Sequence, residues 1–180
     1  MRALFGSLCL VVFLVRVAGS RLVAQTGDQR PAIAVLNLRF DGSHANVLEA
    51  GDTAVTMAAT SKLLATLQTS DQVALLDSAR VAHAVAVAEA DGNACDNACA
   101  VGVGRQLGVQ WVAKGTVAKT SNLVWVLSAQ LLEVATGKLV LSDSYELKGD
   151  ATRMAPAGAH AFAQRIEQAV GGPRTTTAAP

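Results

Sequence analysis

The sequence predicts an α/β (α+β) fold in which a mixed sheet, containing an antiparallel three-stranded meander, packs against helices. Three observations predict it. The apolar period changes along the chain, from a β-branched run at 32–40 to a four-residue repeat that begins near Asp52. Residues 111–149 then hold three strand-like stretches split by the short turn signals "TSN" and "ATGK". Finally, a chain of 180 residues that loses a short leader keeps about 160, which suits one domain around one core.

The first element is "AIAVLNLRF" (32–40), a leucine-rich and β-branched run ended by "DGS", which reads as a buried strand followed by a turn. From Asp52 onward, Val55, Ala59, Leu63 and Leu67 recur every four residues, with Thr56, Lys62 and Gln68 elsewhere, so an amphipathic helix follows. "QVALLD" (72–77) is a second strand. Asp77 or Ser78 caps the next helix, which runs through Val81 and Val85 toward Glu89 and stops at "ADGN". A short helix starts near Asn97 or Ala98 and ends where Gly108 follows Leu107.

The meander comes next, with Gly137 placed to take the positive φ of a tight hairpin. On its third strand Leu139, Leu141, Tyr145 and Leu147 share one face, and Ser142, Ser144 and Glu146 the other, as expected where helices cover one side of a sheet. A last helix, with Pro156 in or near its first turn, presents Ala159, Phe162, Ala163, Ile166 and Val170 on one face. The order is strand, helix, strand, helix, short helix, three strands, helix, with no internal repeat.

The ends point to an exported protein. "MRALFGSLCLVVFLVRVAGS" carries Arg2, an apolar core from Leu8 to Val15, and small residues Ala18, Gly19 and Ser20 at a cleavage position, the pattern of a secretory leader. That core is shorter than the roughly 20 apolar residues of a lasting membrane span; a retained leader acting as an anchor stays open as the alternative. Cys9 lies inside the apolar core behind Leu8, which argues against acylation. The divisions are a signal peptide at 1–20, a linker at 21–31, one α/β domain at 32–170 and a disordered tail at 171–180, where "GGPRTTTAAP" has no large apolar residue.

Cleavage removes Arg2 and Arg16 from 15 basic side chains and none of the 14 acidic ones, so the mature chain is close to neutral. The full sequence has four Phe, two Trp and one Tyr, with Phe5 and Phe13 in the leader, so the mature chain lacks both the basic excess and the interleaved aromatics of a nucleic-acid binder. Cleavage also takes Cys9 from three cysteines, leaving a pair in a compartment where disulfides persist.

That pair sits in "ACDNACAVGVGRQLGVQ" (94–110), which has four readings. A phosphate loop needs its glycines between a strand and a helix, whereas Gly102, Gly104 and Gly108 lie in a predicted helix that precedes a strand. Gly102 and Gly104 read instead as packing positions, with Val101 and Leu107 toward the core, and Gly108 as the helix stop. Structural zinc wants four ligands, and His44, His83 and His160 are scattered, so no metal is expected. Redox exchange usually uses CxxC at a helix start after a strand, but Cys95 and Cys99 have CxxxC spacing after a helix and a polar turn. Residues four apart on a helix lie about 6 Å apart at Cα, within disulfide reach. A local disulfide pinning "DGNACDNA" to the helix is therefore the preferred reading, and a thiol-disulfide oxidoreductase using Cys95 and Cys99 is the alternative from a different class.

The stretch from Cys95 to Val140 also carries a resemblance. Cys95 and Cys99, Ala100, Gly104, Leu107-Gly108, the run Gly115-Thr116-Val117-Ala118-Lys119, and Leu132-Glu133-Val134-Ala135-Thr136-Gly137 match a recurring pattern. It consists of a cysteine pair, "A-x-x-x-G-x-x-LG", a strand ending "G-x-V-x-K" and an "L-x-D-V-x-TG" hairpin. The pattern resembles that of bacterial envelope proteins related to the curli secretion lipoprotein CsgG and the TolB amino-terminal domain, over about residues 32 to 170. The resemblance implies a TolB-N/CsgG-like sandwich working in the periplasm without catalytic residues. Glu133 replaces the usual aspartate, and the chain lacks the length for the curli channel's membrane strands.

The function expected is a non-catalytic periplasmic binding or scaffold module of the cell envelope, periplasmic or secreted, with no cofactor. An envelope protein partner is expected, no stable membrane span remains after cleavage, and homo-oligomerisation stays open. The sequence shows no Ser/His/Asp set and no carboxylate pair placed by motif. The resemblance extends to LpoB, an activator of a peptidoglycan synthase, so a regulator of that kind is an alternative. The surface expected to bind is the cysteine loop together with "KTSN", with Lys119, Ser121 and Asn122 as polar contacts, because loops on a rigid sheet usually carry recognition.

Overall fold

The computed structural model describes residues 30–121 and 123–171. The leader at 1–20, nearly all of the linker, Asn122 and the tail beyond Gly171 lie outside the described residues. Ten elements follow in order: β1 (Ala32–Val35), β2 (Arg39–Asp41), α1 (Asp52–Gln68), β3 (Ala74–Leu75), α2 (Ser78–Ala88), α3 (Asn97–Leu107), β4 (Trp111–Lys119), β5 (Val124–Glu133), β6 (Leu139–Lys148) and α4 (Ala151–Gly171).

The strands form one mixed sheet in the order β3-β1-β4-β5-β6, with β2 also on β4. β1 lies parallel to β3 and β4, β2 parallel to β4, and β4-β5-β6 is the antiparallel meander. β3 is shorter than the strand predicted at 72–77: two residues at the sheet edge. Short edges limit pairing with other chains.

Helices cover both faces, but unequally. α1 and α4 pack on one face, where Leu63, Leu67, Phe162 and Ile166 meet Ile33, Val117, Leu127 and Leu131. α2 and α3 cover the other face only near β1 and the start of β4, through Val81, Ala84, Ala100 and Val103 against Ala34, Val112 and Leu132. β1 is therefore buried on both faces and reads as a continuous apolar run, whereas β6 alternates because α4 covers one side of it.

The run at 32–40 is two strands, not one. Between the pairs Val35↔Ala113 and Arg39↔Thr116 the first segment carries three residues and β4 carries two, so one extra residue bulges out. The Leu38 N–H leaves the ladder and donates to Thr60 Oγ1 on α1 at 3.1 Å. Gly115 faces the bulge, and a Cβ there would stand 2.9 Å from Leu38 Cδ2 and 2.4 Å from the Ser128 carbonyl oxygen.

Two further expectations change. Thr56, placed outside the apolar stripe of α1, is buried. Pro156 lies inside α4, because that helix begins earlier than its apolar face suggests: the Asp150 carboxylate accepts from Thr152 N–H at 2.9 Å and the Asp150 carbonyl from Arg153 and Met154 N–H.

Candidate functional site

The candidate site is a cavity of about 260 Å³ on the α2/α3 side of the sheet, beside the bulge. Local sequence builds each wall. Asp77 caps α2 by accepting from Arg80 N–H at 2.9 Å, and the helix turns Val81, Ala82, Val85 and Ala86 toward the opening. The bulge supplies Asn37 and Leu38 to this cavity and also to a neighbouring, wider depression of about 580 Å³ that runs between α1 and α2.

The third wall is the cysteine loop. Cys95 and Cys99 are joined, with Cα atoms 5.1 Å apart, and Cys95 is buried against Ala100 and Val101 in the α2/α3 core. Asp96 caps α3 by accepting from Cys99 N–H at 2.8 Å. Cys95 therefore stands just outside the helix and Cys99 in its first turn. Gly108 ends α3 at φ 71°.

Charged side chains hold this loop to the sheet. Glu89 Oε1 accepts from Cys95 N–H at 2.7 Å and from Arg39 Nη1 at 2.5 Å. Lys114 Nζ donates to the Cys95 carbonyl at 2.7 Å. Burial holds the Lys114 ammonium below the ordinary lysine range; Asp96 and Glu89 partly oppose that, and Arg39 adds to it. None of Asn37, Arg39, Glu89 or Lys114 stood out in the sequence reading. One signal was available: Lys114 is a lone charge in the apolar start of "WVAKG", on the strand face that α2 and α3 cover.

The glycines divide by role. A Cβ on Gly104 would come within 2.6 Å of both Val112 and Val134, so α3 needs glycine there to lie close to β4 and β5. At Gly102 the same atom would meet open space, so the expected packing role does not hold for it. Gly137 takes the expected positive φ, 71°.

Lys119 is not a surface contact. Its side chain is 1% exposed, its Nζ lies 3.0 Å from both Asp52 carboxylate oxygens and 5.4 Å from the Trp125 ring centroid. The cause is strand parity: Val117 and Lys119 point to the α1/α4 side, whereas Val112 and Lys114 point to the α2/α3 side. Asp52 is pushed up by burial, but the Glu49 N–H and the Lys119 ammonium together hold its carboxyl below the usual range. Ser121 is half-buried and its hydroxyl accepts from Leu123 and Val124 N–H at 3.2 and 3.1 Å, bracing the hairpin. Asn122 lies outside the described residues. Lys119 thus points away from the face of the sheet that the cysteine loop covers.

Among the described residues no group of three His, Cys, Asp or Glu could hold a metal, and no helix is long and apolar enough to cross a membrane.

The same fold occurs in TolB from Acinetobacter baumannii, 18% identical with a TM-score of 0.50; the match covers 81% of this chain and 29% of TolB, so this chain spans under a third of that protein. It occurs also in the hypothetical protein CT253 from Chlamydia trachomatis, 9% identical with a TM-score of 0.50 over 78% of this chain and 98% of that one. The LpoB C-terminal domain from Salmonella enterica is 17% identical over 66% of this chain and 83% of its own, with a TM-score of 0.47. No curated protein matches the sequence. The family described as "Protein of unknown function (DUF2380)" matches residues 31–166, and the chain belongs to it.

Proposed function

We propose that the protein is a non-catalytic binding module of the bacterial cell envelope, working in the periplasm and recognising a protein partner through the cavity beside the bulge. One observation carries the reading. A disulfide-bonded loop, fixed by Glu89 and Lys114, forms the wall of an apolar cavity on a rigid sheet. Such a bond persists in oxidising compartments, and rigid loops around a concave surface are where recognition sits. The fold shared with TolB agrees with this reading, as does the leader-like N-terminus.

A photo-crosslinking residue at Ala82, on the cavity, and another at Ser144, on the far edge of the sheet, test it in intact cells. The reading expects one discrete envelope adduct from Ala82 and none from Ser144. Equal labelling from both positions, or adducts only to cytoplasmic proteins, contradicts it. An adduct to a peptidoglycan synthase would select the LpoB-like regulator over a CsgG-like scaffold.

The oxidoreductase alternative requires an accessible, easily reduced pair. Cys95 is 6% exposed and its backbone is held at both N–H and carbonyl. A structural bridge is expected to have a reduction potential below about −300 mV.

A further inference from the structure

We propose that the cavity beside the bulge binds the carboxyl terminus of a polypeptide ending in a small aliphatic residue, with Lys114 meeting its carboxylate. The inference deepens the binding-module reading and rests on it.

Size sets the class of group. At about 260 Å³ the cavity falls below the roughly 300–1,000 Å³ of sites for drug-sized ligands. It admits one small side chain with its terminal carboxylate. Val81, Ala82, Val85 and Ala86 of α2, with Leu36 and Leu38 opposite, form the apolar part.

Charge sets the head group. Three ionised side chains line the cavity: Arg39, Glu89 and Lys114. Glu89 is already engaged by Arg39 and Cys95. Asp96, the other acid near Lys114, is engaged as the cap of α3. Among the described residues Lys114 donates only to the Cys95 carbonyl, which has no net charge, and none of the salt bridges there reaches it. An ammonium has three donors, so two remain to be met in a partly desolvated place where an anion is held more strongly than in water. Among the side chains that line the cavity one positive charge is in excess, while the Asp96 carboxylate outside the lining attracts Lys114.

The outlet favours a peptide over a free acid. The cavity and the wider depression share Asn37, Leu38 and Ala82, so a chain leaving the first enters the second, where Met57, Ser61, Ser78 and Ala79 line its course. A free short-chain acid has no use for that trough.

The test titrates the disulfide-intact chain with N-acetyl-Ala-Ala-Val, with the same peptide as its C-terminal amide, and with isovalerate, following backbone amide signals by NMR. Saturable shifts at residues 81–86 and 114 are expected from the peptide acid. Because a hydrogen bond to a charged group is lost, the amide should bind about tenfold more weakly, and Lys114→Gln should weaken the acid by a similar factor. Isovalerate should bind more weakly than the peptide acid. The amide comparison uses the unaltered protein and so stands even where Lys114→Gln fails to fold. Equal binding of acid and amide, no saturable binding of the acid, or isovalerate binding as tightly as the peptide would overturn the inference. A discrete envelope adduct at Ala82 combined with any of those results would remove this inference and leave the binding-module reading in place.

Discussion

Lys119 and Asp52 illustrate how one side chain's surroundings decide its role. Both are almost fully buried, and each is tolerated there only because the other is present, with Glu49 N–H completing the carboxylate. Removing one partner leaves a buried charge uncompensated, which costs about 3–5 kcal/mol, whereas replacing both with apolar groups costs far less. Lys119→Met should therefore lower stability in urea unfolding by that amount, and Lys119→Met with Asp52→Leu should recover most of it. The depressed Asp52 carboxyl also sets a pH dependence. Its stabilisation is complete above the ordinary carboxyl pKa of about 4 and is lost as pH falls through the lower folded value. Asp52→Asn should accordingly flatten the fall in stability of the native protein in that acid range. Tyr145, the one tyrosine of the chain, gives a direct optical readout. Burial and its hydrogen bond to Asp143 push its phenol up to about 12, so absorbance titration should place ionisation there and not near 10.

At the scale of elements, α3 and the bulge position the site. Gly102 and Gly104 lie two residues apart in one helix and should respond oppositely to alanine. Gly102→Ala meets open space and should stabilise by up to about 1 kcal/mol through helix propensity. Gly104→Ala forces Val112 and Val134 aside and should destabilise. Thermal melts of the two variants decide it. The sequence could show the period and the caps of these elements, and Asp77, Glu89, Gly108 and Gly137 stand where local chemistry places them. It could not show the bulge. "AIAVLNLRF" reads as one apolar strand, and the break depends on Thr60 and Gly115, which are distant in sequence. Lys119 was misread for the same reason: a lysine near a strand end looks solvated unless the acid on another element is known. The cavity was illegible because Arg39, Glu89 and Lys114 come from three separate elements or their ends.

For the whole molecule, the unequal covering of the sheet ties fold to function. α1 and α4 supply one continuous core, while the smaller α2/α3 layer stops short and leaves a cavity at its margin that the cysteine loop walls off. The disulfide closes a small ring, so replacing Cys95 and Cys99 with serine should cost at most about 2 kcal/mol while loosening the loop that carries Glu89 and Lys114 contacts. The account depends on this protein working outside the cytoplasm with that bond made. Mass spectrometry of the protein taken directly from its cells, alkylated before and after reduction, tests this in one measurement. The account predicts a chain lacking residues 1–20 whose Cys95 and Cys99 resist alkylation until a reductant is added; a retained leader with both thiols labelled at once would contradict it.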